Sequence, residues 1–232
     1  MHKLRRASLG AAIGIGVLAW GTSANAAATI SLEVFDGATL IGSVSNVLGG
    51  FATVSGSDAN FSSFSVTSNG VPVIPSPDFG TLTIDAQAVS GSHTLTVLAT
   101  QQGLTGFPSG VLASSWAANY LVNPQNVSSV AVANFIDPGN GAFATTTPIG
   151  SHTFTGGVNG SFGPVNTAVG PGLTTFSETE RFVISFTGAA DVQANSQIAT
   201  AVPELRTWAM MLLGFLGLGF AFRQSRRKVS MA

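Results

Sequence analysis

Between residues 28 and 200, apolar and polar side chains alternate with a period of two in short runs broken by Gly, Ser, Asn and Pro. The clearest run is Thr81–Ala88, where Leu82, Ile84, Ala86 and Ala88 point one way and Thr81, Thr83, Asp85 and Gln87 the other. The next run, His93 to Thr100, alternates through Leu95, Val97 and Ala99. Val89-Ser90-Gly91-Ser92 lies between the two as turn chemistry, so a β-hairpin is predicted there. Further strands are predicted over Thr29–Phe35, Thr39–Ser45, Phe61–Thr67, Val127–Phe135, Ser151–Thr155, Arg181–Thr187 and Asp191–Ile198. No long stretch of this region carries helical periodicity. The expected fold is all-β, a single β-sandwich or jelly-roll-like domain over residues 27–201. Its core should draw on Phe64, Val66, Leu82, Ile84, Leu95, Val97, Val130, Val132, Phe182, Ile184 and Phe186.

The two ends break this pattern with continuous apolar runs. Ala7 to Trp20 follows Lys3, Arg5 and Arg6 and precedes small residues ending in Ala24-Asn25-Ala26, which is the layout of a secretory signal peptide over residues 1–26, cut between Ala26 and Ala27. Its apolar run is shorter than the ~20 residues of a membrane span. At the other end, Trp208 to Phe222 carries no charge. As a helix its 15 residues would extend ~22 Å, against a hydrocarbon core of ~30 Å, so a short C-terminal transmembrane helix is expected. Pro203 stops it from extending backward, Trp208 suits an interface, and Arg223, Arg226, Arg227 and Lys228 form a basic tail.

Charge sharpens the division. The formal net charge of −1 hides a middle segment, 27–202, in which nine acids stand against Arg181 alone, for a charge of −8. All other bases lie at the ends. Basic flanks of apolar segments stay on the cytoplasmic side, so both ends are expected to face in and the acidic domain out. Such a domain repels nucleic acid. The chain has no cysteine, which excludes disulfides, thiolate metal sites and cysteine nucleophiles.

Pro203-Glu204, then Trp208-Ala209-Met210-Met211-Leu212, Gly214-Phe215, Gly217, Gly219 and the closing Arg223, Arg226, Arg227 and Lys228 resemble the PEP-CTERM sorting signal, in its Trp-Ala-Met-Met variety, over residues 202–228. The resemblance implies export by the general secretion machinery and processing by signal peptidase. It also implies a stage anchored in the inner membrane with the domain facing the periplasm, and recognition by an exosortase. That enzyme, a membrane cysteine protease-transpeptidase, would cleave near the motif and deliver the protein to the cell surface or outside, in bacteria that make exopolysaccharide. Leu205 stands where the family has its second proline, so residues 201–222 serve either as a processed signal or as a retained anchor.

Candidate chemistry is sparse. Glu178 and Glu180, two apart, would share a strand face at the entrance of the strand that begins at Arg181. As neighbours on an acidic surface they could be a glycosidase pair or a calcium rim. Gly-Ser-His-Thr occurs at 91–94 and 150–153 and holds both histidines of the domain. No third ligand accompanies them, so neither metal nor cofactor is predicted. Asp137-Pro138-Gly139-Asn140-Gly141 has turn composition without the order of a calcium loop. Trp116 and Tyr120 are candidate sugar-stacking aromatics. Three functions stay open: a noncatalytic surface or matrix protein, a carbohydrate-binding adhesin, and a polysaccharide-active enzyme.

Overall fold

The computed structural model describes residues 28–48, 50–71, 78–107, 110–170, 173–200, 212–213 and 215–216. Twelve strands make up the described domain: β1 (Thr29–Asp36), β2 (Thr39–Leu48), β3 (Phe51–Gly56), β4 (Phe61–Val71), β5 (Asp78–Ala88), β6 (His93–Phe107), β7 (Gly110–Val122), β8 (Val127–Asp137), β9 (Thr147–Thr155), β10 (Gly160–Val169), β11 (Leu173–Phe186) and β12 (Ala190–Thr200). They form two six-stranded antiparallel sheets, in the orders β2-β1-β6-β11-β8-β9 (sheet A) and β10-β7-β12-β5-β4-β3 (sheet B). The all-β sandwich expected from the alternation is present.

Each sheet turns its apolar alternates toward the other. On β11, Phe182, Ile184 and Phe186 are buried in register with Val97 and Leu95 of β6 and with Val132 and Val130 of β8. On sheet B, Ile84 and Ala86 meet Ala194 and Val192 of β12, and Val66 and Phe64 of β4. Every expected core residue whose side chain is described is buried; Leu82 lies outside that set.

One expectation is corrected. Thr81–Ala88 and His93–Thr100 do not pair as a hairpin, because β5 belongs to sheet B, between β12 and β4, and β6 to sheet A, between β1 and β11. The short connection through Gly91, at φ +115°, arches from one sheet to the other. Period-two alternation fixes which face of a strand is buried but says nothing about its partner.

The sequence pattern also passed over β3, β7 and β10. On β7 the inward residues Leu112, Ser114, Trp116, Ala118 and Tyr120 alternate with Ala113, Ser115, Ala117 and Asn119, so Ala and Ser occur on both faces and the contrast is weak. The signal peptide of residues 1–26, with Ala24, Ala26 and Ala27, lies outside the described residues. So do the motif Pro203, Glu204 and Leu205, the helix end Trp208 and the tail Arg223, Arg226, Arg227 and Lys228. Of the expected span, Leu212, Leu213, Phe215 and Leu216 are described; they are helical and exposed. Among the described residues no helix is long and apolar enough to cross a membrane.

Candidate functional site

The strand run that carries Phe182, Ile184 and Phe186 inward extends back, in phase, through Glu180 and Glu178. Both glutamates are 0 % exposed, between the sheets. The expectation of a surface pair at the entrance of a strand is therefore corrected. β11 begins at Leu173 rather than Arg181, and period two places 178 and 180 with the core. Arg181 faces the other way, its guanidinium carbon 5.3 Å from the centre of the Phe135 ring on the outer side of sheet A. Buried at 0 %, the two carboxylates have no access to a polysaccharide chain.

They are part of a polar layer. Gln101 of β6 sits opposite Glu178, and Asn134 of β8 opposite Glu180. From sheet B, Ser196 of β12 reaches across the sandwich, and its hydroxyl donates to Asn134 Oδ1 at 3.1 Å. A β-carbon built on Gly70 of β4 would run into the Gln101 amide, so β4 packs directly against that amide, which would have to shift to admit a side chain. Ser68 and Ser114 complete the set, both fully buried. Gln101 Oε1 and Nε2, Asn134 Nδ2, and the Ser68 and Ser114 hydroxyls are buried without a hydrogen-bond partner. Along the strands, Phe182, Val97 and Val132 lie on one side of this layer, and Phe176 and Leu104 on the other, while Ile136 sits opposite Glu178 within it.

Sequence reasoning missed this set except for the glutamates. The signal was present in the phase: Asn134 continues Val130 and Val132, Gln101 continues Leu95, Val97 and Ala99, and Glu180 continues Phe182.

Trp116 is 2 % and Tyr120 7 % exposed, both on the inward side of β7. The Trp116 ring parallels Phe162 at 6.1 Å. Phe162 in turn stacks on His152 at 3.9 Å, and His152 meets Phe154 edge-on at 4.5 Å. This column closes the side of the sandwich between its edge strands β9 and β10. Burial raises the pKa of Tyr120. In these positions neither candidate stacking ring presents a face to solvent. The two Gly-Ser-His-Thr copies are not brought together either. His93 opens β6 against Phe61 and Ser90 O, while His152 lies on β9, with β11 and β8 between the two strands. Among the described residues no three His, Cys, Asp or Glu side chains form a metal-binding group.

On the outer face of sheet B, a shallow hollow of about 640 Å³ runs beside the β10 bulge at Gly163-Pro164 and is lined in part by Ser115, Ser161, Asn195 and Gln197. Further along that face, Gln87 Nε2 lies 3.4 Å from Asp191 Oδ2 and Gln193 Nε2 3.4 Å from Asp85 Oδ2. Burial, and then the neighbouring charge and hydrogen bond of Asp85, raise the pKa of Asp191. On the outer face of sheet A, Asp137 accepts the Gly141 N–H at 2.7 Å and the Thr146 hydroxyl at 3.0 Å. The Gly141 bond in particular holds its pKa below the ordinary value, against burial, with Thr146 and the Gly139 N–H assisting. The Asp137–Gly141 segment is a turn, as its composition predicted. It is pinned to sheet A because Asn140 accepts the Gly103 N–H through Oδ1 at 2.7 Å.

No family model matches the chain, and no curated protein matches it. Among solved structures it is similar to one described as "Structure of infectious bursal disease virus Gx strain", at 11 % identity and a TM-score of 0.28, over 84 % of this chain and 53 % of that one. The chain thus spans about half the length of that protein.

Proposed function

We propose that the chain is an exported, noncatalytic surface or extracellular-matrix protein, sorted by an exosortase-type system and associated with exopolysaccharide. The observation that carries this reading is the segregation of charge: −8 over residues 27–202, with every base but Arg181 beside an apolar run at one of the ends. The ordered elements Pro203-Glu204, Trp208-Ala209-Met210-Met211 and the basic cluster of Arg223, Arg226, Arg227 and Lys228 add the address. The sandwich is consistent with it. Its outer faces carry Ser, Thr, Asn, Gln and Asp, and self-repulsion of a −8 domain favours solubility outside the cell.

The test is intact-mass analysis of the protein recovered from its own host. A species beginning at Ala27 and ending near Pro203 or Glu204 is the expected result. A mature species that retains Trp208 to Lys228 would make the protein a resident of the membrane and remove the sorting step. Recovery of the chain in the cytoplasm with residues 1–26 intact would remove export itself.

A second reading, a carbohydrate-binding module, is favoured by the hollow on sheet B, whose serine hydroxyls and the Asn195 and Gln197 amides match the neutral hydroxyls of a glycan. Glycan-array binding lost in an Asn195→Ala, Gln197→Ala double variant would support it, and an inert array with the folded protein would remove it.

A further inference from the structure

The lateral strands of the described sandwich are β2 and β9 in sheet A and β3 and β10 in sheet B. Three of these edges are blocked against further pairing. β2 is bulged against β1 at two places and holds Asn46 in the left-handed region, at φ +54°. β9 carries Pro148 at a register shift, and β10 carries Pro164 inside its bulge against β7. A bulge twists an edge away and a proline removes a donor, and both keep one sheet from joining another. β3 has neither device. Phe51-Ala52-Thr53-Val54-Ser55-Gly56 pairs with β4 in unbroken register, from Phe51 opposite Asn69 to Gly56 opposite Phe64. We propose that β3 is a pairing edge for a second copy of this chain. The two β3 strands run antiparallel about a two-fold axis at Thr53 and join the B sheets of the two copies into one. The inference is independent of the export reading.

Three further observations carry it. The first is the direction of the backbone groups. The Gly70 N–H donates to Gly50 O at 2.9 Å, and bonded pairs alternate along an antiparallel ladder. Ala52, Val54 and Gly56 therefore direct their N–H and C=O groups at β4, and Phe51, Thr53 and Ser55 direct theirs away from the sheet. With Thr53 opposite its own counterpart, Phe51 falls opposite Ser55 of the other copy. Each of the outward residues then exchanges N–H···O=C bonds with one across the axis. A two-fold contact of this kind uses the same surface on both copies and closes on itself.

The second is apolar exposure. Phe51 is 55 % exposed on the outer face of sheet B, because Ala52 takes the inward position. Across the axis its ring would lie over the Thr53 and Ser55 side chains of the second copy, which removes ring surface from water. Leu48, at the end of β2 just before β3, is 64 % exposed and adds to the apolar character of that corner.

The third is charge. A domain of −8 repels its own copies, so a contact between copies belongs where acids are missing. β2, β3 and β4 contain no Asp, Glu, Lys or Arg, and Asp58, after β3, is the one charged residue of 37–77. In the antiparallel pair the two Asp58 side chains lie at opposite ends of the contact rather than facing each other.

The full chain, kept in solution by detergent because of its apolar ends, is to be weighed by sedimentation equilibrium at a solvent density that matches the detergent. A reversible dimer is expected. Thr53→Lys and Thr53→Glu each set like charges against each other at the axis, and each should weaken dimerisation at least tenfold. An equimolar mixture of the two variants should restore pairing, since unlike charges then meet. Thr53 is exposed, so both variants should keep the fold, which circular dichroism checks. The chain has no cysteine, and opposed Cα atoms in a bonded antiparallel pair are about 5.5 Å apart, within disulfide range. Mild oxidation of Thr53→Cys should therefore give a covalent dimer, whereas Ser151→Cys on the blocked edge β9 should not. If a charged variant fails to fold, this crosslink decides. A full chain that stays monomeric at the highest concentration weighed would overturn the proposal. So would a dimer that both charged variants leave intact, or a mixture that pairs no better than either variant alone.

Discussion

Gly150 of β9 and Trp116 of β7 touch across the two sheets so closely that a β-carbon at Gly150 would fall 2.8 Å from the indole Cη2 and 3.3 Å from Ser114 Cβ. The indole has no open side to retreat to, since Trp116 is 2 % exposed and its other neighbours are Phe162 and the strand β12. Gly150→Ala should therefore act as an overpacking substitution and cost about 1–3 kcal/mol. For a chain of this size each kilocalorie lowers Tm by about 2–4 °C, which thermal melting followed by circular dichroism resolves. An unchanged Tm would mean that the indole shifts freely and that this contact does not set the spacing of the sheets.

The bond from Ser196 to Asn134 is the described hydrogen bond that ties the two sheets through the polar layer. Ser196→Ala would leave Asn134 Oδ1 buried without its donor. A loss of about 1–3 kcal/mol is expected, read as a lower denaturation midpoint. Removing both partners should cost less than the sum of the single changes, with a coupling of about 0.5–3 kcal/mol. Strict additivity in the double-mutant cycle would show that the two side chains do not act as a pair.

These two contacts also mark how far the sequence could be read. The faces of the strands were legible, because alternation such as Thr83-Ile84-Asp85-Ala86 reports burial directly. The assignment of β5 and β6 to opposite sheets was not, since strands in one sheet or in two have the same period. Strand β7 escaped notice because Ala and Ser occupy both of its faces, and with it went the inward orientation of Trp116 and Tyr120. The polar layer was hidden for a different reason. A Glu at an inward position looks like the end of a strand when read by hydrophobicity alone, and only the in-phase continuation from Phe182 back to Glu180 and Glu178 shows that the strand goes on.

Asn140 has a left-handed backbone, φ +57°, and holds the segment after β8 against sheet A through the Gly103 N–H. Its backbone carbonyl also accepts from Gln102 Nε2 at 2.8 Å. Asn140→Gly loses the side-chain acceptor but frees the left-handed backbone of its β-carbon, whereas Asn140→Ala loses the acceptor and keeps a β-carbon there, so Ala should be less stable than Gly by about 1–2 kcal/mol. Both should speed hydrogen exchange at Gly103, and Ala should additionally loosen the Phe143 amide, which donates to Thr100 Oγ1 at 2.9 Å. Equal exchange at Phe143 in the two variants would separate the turn from the clamp.

Asp137 and Asp191 should give opposite pH signatures. The Gly141 N–H, above all, lowers the Asp137 pKa below its ordinary 3.8, so the native state favours the carboxylate. The stability this contributes is complete above pH 3.8 and is lost as pH falls through the lowered value. Asp137→Asn should thus melt below the parent chain at neutral pH, and the gap should close in acid. Burial, with Asp85 beside it, raises the Asp191 pKa above 3.8, so the native state favours the protonated acid. That contribution is complete below pH 3.8 and is lost as pH rises through the raised value. Asp191→Asn, which supplies an uncharged group at every pH, should therefore melt above the parent at neutral pH and converge with it below pH 3.8. Both groups are partly open to solvent, so the differences should shrink with added salt. Melting curves of the parent and the two variants across the acid range test both signs at once, and a pair of variants that shift Tm in the same direction at neutral pH would contradict the assignment of charge on these two faces.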